Sequence, residues 1–338
     1  MKKISLFVVL GLFVVSFVCG CSDSSDNGAT NKKEEKVVLK LSYVTSPESV
    51  KGVAAKKFAE LIKEKAGGRI DVQVYPSAQL YGDKEELQAL MANNVQIIVP
   101  SITKLVSMDP SYQFVDLPFL FNDDESVFRF WDGEGGKLLL GKLEDRGIIG
   151  LGSWSNAPIN IIGNKLIKTP GDLKGMKIRI PAGQVTTDVL SAFGAGGATI
   201  PFSEVYTSLQ QGVVDAALSS VNNFEKEKFY EVSNKLTLID MQRLEYIVLT
   251  NKQFWNSLPS DLRAVVKEAM QGACDYERSI AKKLNSDSLE VMKKSGVDVY
   301  KITMQEREKF SEALKSVYDK WVPVVGSDVV KLAQKANQ

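Results

Sequence analysis

The chain has 338 residues, of which 44% are hydrophobic and 25% are charged, a balance typical of soluble globular proteins large enough for two domains. It carries 42 basic and 41 acidic residues without a basic block or stripe, so nucleic acid is not an expected partner. It contains no histidine. This absence excludes histidine-based nucleophile systems, histidine-ligated zinc and haem, and histidine as a general base.

The N-terminal segment is typical of an export signal. Two lysines precede an uncharged apolar run, Ile4–Val18, which is too short for a comfortable membrane span. The following letters "VCGC" resemble the cleavage region of a bacterial lipoprotein signal, in which Cys21 is lipidated; an ordinary signal cleaved nearby is the alternative. We predict a lipoprotein signal peptide at residues 1–20 and a flexible tether at residues 21–36, which is too polar to bury itself.

Strand and helix patterns alternate in the first half of the chain. The predicted elements are an alternating strand at 37–44, a helix ending at Gly67–Gly68, a strand at 69–75, a helix with capping-box spacing of Asp83 and Glu86, and a fully buried strand "VQIIVPS" at 95–101. This order favours an α/β fold with a largely parallel sheet.

The second half repeats the alternation and then changes. The predicted elements are a strand "MKIRIP" at 176–181, a helix at 203–212, a strand "VVDAALS" at 213–219, a long helix from about Pro259 through Leu284 with a kink near Gly272, a strand "GVDVY" and a helix capped by Thr303 with Glu306. We expect two α/β lobes, with the long helix crossing between them and a cleft between the lobes.

Ligands of open α/β sheets bind outside the carboxyl ends of the strands. Those ends are at Tyr43 and Val44, at Ser101, at Arg179 and at Ser219. Because side chains alternate along a strand, Arg179 points away from the face of its apolar neighbours. A planar guanidinium suits a carboxylate because it offers two parallel donors. The simpler interpretation of such a residue is a solvated surface arginine.

No catalytic or cofactor motif is complete. "GEGGKLL" has Trp131 and Leu138 where a P-loop needs a glycine and a hydroxyl, and "GAGGAT" ends its glycine pattern at Thr199. No metal-ligand motif and no paired acid and base stand out, and Cys274 has no partner if Cys21 is acylated. We therefore predict no cofactor, no metal and no enzyme activity; an exported enzyme that acts on small organic acids through carboxylate or lysine chemistry is the alternative.

Several segments together resemble one protein family. They are "VQIIVPS", "DLPFLF", "DLKGMKIRIP", "PFSEVYTSLQQGVVD", "KFYEV" and "FWNSLP". Their order and spacing over roughly residues 37–330 are similar to the solute-binding proteins of tripartite ATP-independent periplasmic (TRAP) transporters. "VQIIVPSITKL" is most similar to the C4-dicarboxylate-binding, DctP-like members. So many collinear motifs are more specific than any one short pattern.

The resemblance implies a two-lobed periplasmic-binding-protein-like fold with a hinge and a long helix that spans both lobes. Lobe I would contain residues 37–156 and 245–284, and lobe II residues 157–244 and 285–338. Such a receptor closes on a small organic acid and delivers it to small and large membrane subunits. It would be exported and anchored by lipid at the outer face of the cytoplasmic membrane, or lie in the periplasm. A sensory receptor that presents its ligand to a signalling protein is a further alternative.

The resemblance also implies site residues. Arg179 falls at the family's arginine that forms a bidentate salt bridge with the ligand carboxylate. The neighbours implied by family position are Tyr43, Ser101, Asn156 and Phe202. Each has a simpler interpretation as a core, turn or ordinary strand residue.

Two positions depart from the family pattern. Ile159 stands where most members place a basic side chain that reaches the ligand, and Ser219 stands where they have an asparagine. Either the ligand has one carboxylate and a more apolar body, or a second cation comes from elsewhere. Arg243, in "DMQRLEY", is the hypothesis for that cation, although a surface charge is the preferred interpretation.

Overall fold

The computed structural model describes residues 36–338, which form one compact unit. The predicted signal peptide at residues 1–20, the lipidation site at Cys21 and the tether up to Glu35 lie outside the described residues. Within the described part, no helix combines the length and the apolar character needed to cross a membrane.

The strands of the described residues form one mixed sheet. They are β1 (Val37–Ser42), β2 (Ile70–Tyr75), β3 (Ile97–Ile98), β4 (Ile148–Gly163), β5 (Lys177–Ile180), β6 (Gly196–Thr199), β7 (Ala216–Ser219), β8 (Lys235–Asn251) and β9 (Asp298–Lys301). Their order is β2-β1-β3-β8-β4-β7-β5-β6, and β9 also pairs with β8.

Helices cover the sheet and connect its strands. They are α1 (Val50–Lys65), α2 (Glu86–Met91), α3 (Asp124–Asp132), α4 (Glu134–Gly141), α5 (Gln184–Ala192), α6 (Val205–Gln210), α7 (Val221–Lys226), α8 (Lys252–Ser257), α9 (Ser260–Lys294), α10 (Met304–Ala313), α11 (Lys315–Val325) and α12 (Ser327–Ala336). The α/β class predicted from the alternating patterns is confirmed.

The sheet is parallel at both ends and antiparallel in its middle. Strand β1 runs parallel to β2 and β3, and β5 runs parallel to β6 and β7. The long strands β4 and β8 pair antiparallel with each other and join these two parts. The expected largely parallel sheet is therefore wrong in the middle. Strand β4 was not predicted because Gly150, Gly152 and Pro158 interrupt its pattern, and its register shifts between the two glycines.

The long helix α9 has 35 residues and continues ten residues beyond the predicted Leu284, to Lys294. It runs without interruption through Gly272, where a kink was expected. A Cβ atom at Gly272 would lie 2.9 Å from Cδ1 of Leu61, so the glycine allows α1 to approach α9 closely. Helix α9 also packs against β4 and α7, so it spans the two lobes of the fold.

The predicted capping box is correct at α10 and wrong at α2. Thr303 accepts a hydrogen bond from the N–H of Glu306 at 3.2 Å, and Glu306 accepts one from the N–H of Thr303 at 2.7 Å, which confirms the capping box of α10. Asp83, in contrast, does not cap α2, whose N-cap is Glu85. The predicted strand at 95–101 is reduced to Ile97–Ile98.

Candidate ligand-binding site

A cavity lies beside the carboxyl ends of β1, β5 and β7, and about 330 Å³ of space within its outline, open solvent included, is free of protein atoms. Both polar and apolar side chains line it: Val44, Thr45, Lys51, Asp83, Ser101, Lys104, Arg179, Pro181, Phe202, Ser219, Asn223, Leu244 and Tyr246. Three of these side chains are cationic and one is a carboxylate, so the lining carries a net charge of +2 when all four are ionised.

Arg179 reaches the cavity from β5, and only 2% of its surface is exposed. Its Nε donates to the carbonyl oxygen of Ile200 at 3.0 Å and its Nη1 to that of Leu218 at 3.3 Å. Its guanidinium carbon lies 5.5 Å from the ring centroid of Phe202. No carboxylate of residues 36–338 forms an ion pair with it, and burial lowers the pKa of Arg179 to about 10. A buried cation without a counter-ion is costly, so the geometry favours an external anion.

Two lysines supply further positive charge. Lys51, in the first turn of α1, donates from Nζ to the carbonyl oxygen of Val99 at 2.8 Å and lies 3.8 Å from the ring centroid of Tyr246. Lys104 follows β3, and its Nζ lies 3.5 Å from Oδ2 of Asp83. Burial lowers the pKa of Lys104, and the positive charge of Arg179 acts in the same direction, while Asp83 opposes both.

Asp83 connects two parts of the chain across the cavity. Its Oδ2 accepts a hydrogen bond from the backbone N–H of Phe202 at 2.7 Å. This contact and the nearby Lys104 explain why Asp83 does not cap α2: its carboxylate turns towards the cavity instead. The contact also fixes the backbone that carries the ring of Phe202 beside Arg179.

A hydrogen-bonded group of side chains forms one wall. The hydroxyl oxygen of Tyr246 accepts from Nδ2 of Asn223 at 3.1 Å and from Nδ2 of Asn156 at 3.2 Å. Nδ2 of Asn223 also donates to Oγ of Ser219 at 3.0 Å. Because the hydroxyl oxygen of Tyr246 accepts hydrogen bonds from both side-chain amides, its own hydrogen can be donated to a ligand. Burial raises the pKa of Tyr246 to about 12, so the hydroxyl keeps that hydrogen at neutral pH.

The structure brings four of the seven predicted ligand-binding residues to the cavity: Ser101, Arg179, Phe202 and Ser219. Tyr43 is buried and is not among the lining residues, whereas the next two residues, Val44 and Thr45, line the cavity. Asn156 does not line the cavity but holds Tyr246 and Asn223 in place. Ile159 is buried and is not among the lining residues.

Arg243 lies away from the cavity. Leu244 and Tyr246 of β8 line it, so alternation sends Arg243 and Glu245 to the opposite face of the strand. There Nη2 of Arg243 lies 2.6 Å from Oδ1 of Asp124, and Nε lies 3.6 Å from Oε1 of Glu245. The structure therefore pairs this cation internally.

The sequence predictions missed Lys51, Asp83, Lys104, Asn223 and Tyr246. One signal was available for Lys51, since a cation in the first turn of a helix opposes the helix dipole and needs another reason to be there. The residues of β8 could not be assigned, because that strand itself was not predicted. No group of three or more cysteine, aspartate or glutamate side chains in residues 36–338 could hold a metal ion.

A two-lobed α/β fold with an electropositive cavity at its strand ends defines a receptor for a small anionic solute. The family model described as "Bacterial extracellular solute-binding protein, family 7" (DctP) matches residues 41–323. The chain belongs to this family, as the resemblance had implied, and is a solute-binding protein of the TRAP type.

Relatives named for C4-dicarboxylate binding match nearly the whole chain. The C4-dicarboxylate-binding periplasmic protein DctP of Rhodobacter capsulatus is 38% identical over 305 residues, which cover 90% of this chain and 92% of the relative. The C4-dicarboxylate-binding protein DctB of Bacillus subtilis is 33% identical over 300 residues, or 88% and 86% of the two chains. A TRAP periplasmic solute binding protein from Shewanella oneidensis, solved with bound succinate, is 36% identical with a TM-score of 0.87 and covers 90% of this chain and 100% of that one.

Proposed function

We propose that this protein is the extracytoplasmic receptor of a TRAP transporter for a C4-dicarboxylate, which it binds in the cavity and delivers to the membrane subunits. The observation that carries the proposal is the buried guanidinium of Arg179, which has two carbonyl acceptors but no carboxylate partner in residues 36–338. One ligand carboxylate binds Arg179 through charge-assisted hydrogen bonds. The names of the relatives support a dicarboxylate as the ligand class.

The second carboxylate binds near the lysines. Lys51 and Lys104 line the same cavity as Arg179, whereas Arg243 is paired on the other face of β8. The lysines thus replace Arg243 as candidates for the missing second cation. A net lining charge of +2 balances a dianion, and the hydroxyls of Tyr246 and Ser101 add neutral donors. The apolar side chains in the lining contact the carbon body of the ligand.

The free energy needed for binding requires these groups to act together. One charge-assisted hydrogen bond contributes roughly 1.5–3 kcal/mol, whereas micromolar binding needs about 8 kcal/mol. Arg179 alone cannot supply that. Exclusion of water from the cavity strengthens each ion pair, and the lysines and hydroxyls supply the remaining contacts. No step of this proposal requires bond breaking, so the bound acid leaves the receptor unchanged; turnover of the acid would favour the enzyme alternative.

The place of the protein in the cell belongs to the same proposal. We infer lipid anchoring through Cys21 and a position at the outer face of the cytoplasmic membrane or in the periplasm, on the strength of the N-terminal sequence pattern. Mass spectrometry of the N-terminal peptide from its native membrane tests this. A mass without diacylglycerol on Cys21 would contradict the anchor and leave the binding proposal intact.

Calorimetric titration of the chain from Ser22 onward tests the ligand. We expect binding of succinate, malate or fumarate, with a raised melting temperature because the ligand binds only the folded state. Arg179→Lys keeps the charge but loses the planar fork, so its affinity should fall by about tenfold or more. Arg243→Lys is the matched control and should bind like the original protein. Unchanged affinity in Arg179→Lys, or binding of monocarboxylates alone, would contradict the proposal.

A further inference from the structure

Lys51 forms the inner end of the cavity. It is 1% exposed, and apart from the carbonyl of Val99 its ammonium faces the ring of Tyr246 at 3.8 Å. Neither group carries a negative charge. Burial therefore lowers the pKa of Lys51, and the negative charge of Glu86 is the largest influence in the opposite direction.

Glu86 is the first residue of α2 and is also 1% exposed. Neither of its carboxylate oxygens has a hydrogen-bond partner among residues 36–338. A carboxylate in such a place loses its hydration without compensation. Burial accordingly raises the pKa of Glu86, while Lys51 opposes that change. The pKa values of Lys51 and Glu86 are therefore much closer to each other than those of free lysine and free glutamate.

Other charges surround this pair from each neighbouring segment. Lys51 faces Glu86, Asp83, Glu227 and Lys104. Glu86 faces Lys51, Asp83, Lys104 and its exposed neighbour Glu85. Asp83 and Lys104 pair with each other at 3.5 Å, and Glu227 accepts a hydrogen bond from the N–H of Ser46 at 2.7 Å. Lys51 and Glu86, in contrast, are both 1% exposed; within residues 36–338 the ammonium of Lys51 donates only to a backbone carbonyl, and the carboxylate of Glu86 has no hydrogen-bond partner.

We propose that the Lys51–Glu86 pair takes up a proton when the dicarboxylate binds, so that the receptor holds its ligand more tightly at lower pH. The inference rests on the proposed function. With both protons bound, the pair is a charged lysine beside a neutral carboxylic acid and has a net charge of +1. Loss of one proton makes the pair neutral. A dianion in the cavity stabilises the first form through Coulomb attraction, which water screens little in a buried site.

Proton uptake on ligand binding determines the direction in which the ligand affinity changes with pH. A proton from the solvent is bound as the complex forms, and no covalent bond of the ligand changes. Where the free receptor has partly lost that proton, affinity must fall as pH rises, by at most about tenfold per pH unit for one linked proton. The ligand carboxylates are already ionised in that range, because their own pKa values lie near those of free carboxylic acids.

Calorimetry in two buffers measures the proton directly. The chain from Ser22 onward, which contains the whole compact unit Lys36–Gln338, is titrated with succinate in phosphate and in Tris, whose ionisation enthalpies differ. The series runs from about pH 7 to about pH 9, between the ordinary pKa values of glutamate and lysine. We expect the two apparent enthalpies to differ by the uptake of a fraction of one proton, and the affinity to fall over the same interval.

Glu86→Gln should change the pH range of the buffer dependence, because it removes the carboxyl group that can hold the proton and the negative charge that raises the pKa of Lys51. Glu85→Gln, one position earlier and exposed, is the matched control and should keep it. Equal enthalpies in both buffers at every pH would overturn the inference even if succinate binds, as would uptake unchanged in Glu86→Gln. If Glu86→Gln does not fold, the original protein alone decides the question through its enthalpies and its affinity series. Failure of every dicarboxylate to bind would instead contradict the proposed function.

Discussion

Two buried arginines show how the fold treats positive charge in opposite ways. Arg179 and Arg243 are 2% and 8% exposed. In the described part of the chain, Arg179 donates to two backbone carbonyls, lies beside the ring of Phe202 and forms no ion pair. Arg243, in contrast, contacts the carboxylates of Asp124 and Glu245 and donates to Ser155. The first arginine is left available to an anion from outside, and the charge of the second is balanced by carboxylates of the protein.

The difference between the two arginines shows that a buried cation can serve either ligand binding or the stability of the fold. A buried cation that lacks a counter-ion lowers the stability of the folded state. At the wall of a cavity, such a cation is a candidate for binding an anionic ligand. A buried cation held by two carboxylates contributes to the structure instead. Removal of each arginine should therefore change a different measurement, which makes the comparison testable.

The largest effect should come from Arg243→Ala, and it should fall on stability. The substitution leaves the fully buried Glu245 without its cation, beside a second buried carboxylate, Glu277. Breaking a buried ion pair costs about 3–5 kcal/mol; because the side chain of Asp124 is 37% exposed, we expect about 3 kcal/mol. Urea unfolding at neutral pH measures this, and succinate affinity at a temperature where the variant is folded should stay close to the original.

A control for that prediction lies on α9. Arg278 forms a bidentate pair with Asp132 at 2.8 and 2.9 Å, but the carboxylate is 59% exposed, so Arg278→Ala should cost about 1 kcal/mol or less. A loss of succinate affinity in Arg243→Ala, with stability unchanged, would reverse the comparison. It would restore Arg243 as a ligand-binding residue.

The same contrast shows what the sequence could predict. The rule that ligands lie at the carboxyl ends of strands placed Ser101, Arg179 and Ser219 at the cavity, because those strands had clear patterns. Arg243 was a hypothesis from the family resemblance instead, and because β8 had not been predicted, the alternation of its side chains could not be used to check that hypothesis. The cation Lys104 comes from a segment whose position depends on packing between distant parts of the chain, and local pattern carries no information about that.

A smaller effect should follow from Lys104→Gln. This change removes one of three lining cations but leaves the contact between Asp83 and the N–H of Phe202. We expect the affinity for succinate to fall by about tenfold, or about 1.4 kcal/mol, as for one charge-assisted contact. A monocarboxylate that binds Arg179 should be affected less. Calorimetric titration of both ligands tests this, with the exposed Lys84→Gln as a control for net charge.

Equal losses for the two ligands would mean that Lys104 acts on the cavity as a whole and not on the second carboxylate. No loss for either ligand would leave Lys51 as the only lysine candidate in the described lining. In both cases the contrast between Arg179 and Arg243 would stand, because it does not depend on which group binds the far end of the ligand.

The last effect concerns two buried carboxylates, Glu277 and Glu245. Glu277 accepts a hydrogen bond from the N–H of Ser155 at 3.2 Å through Oε2, while its Oε1 has no partner in the described residues. Burial raises the pKa of Glu277 well above its usual range, and the charge of Glu245 acts in the same direction. Burial likewise raises the pKa of Glu245 to about 7, although Arg243 opposes the change.

The sign of the pH dependence follows from these raised pKa values. The folded state binds the proton of Glu277 more tightly than the unfolded state, so stability is greatest below the unfolded pKa and is lost as pH rises through the folded one. Glu277→Gln keeps an oxygen acceptor for Ser155 and removes this loss. We expect the stability of the variant relative to the original protein to increase as pH rises above about 5, where a free glutamate loses its proton.

Glu290→Gln, on the exposed side of the same helix, provides the opposite case. Its hydrogen bond with Lys293 lowers the pKa of Glu290, so any contribution to stability is present at high pH and lost as pH falls. Thermal unfolding of both variants across the pH range separates the two signs. If Glu277→Gln and the original protein lose stability in parallel as pH rises, the carboxylate of Glu277 is ionised at little cost in the folded state. The charges near Glu277, which are those of Glu245, Arg278 and Asp124, would then compensate one another in the folded state.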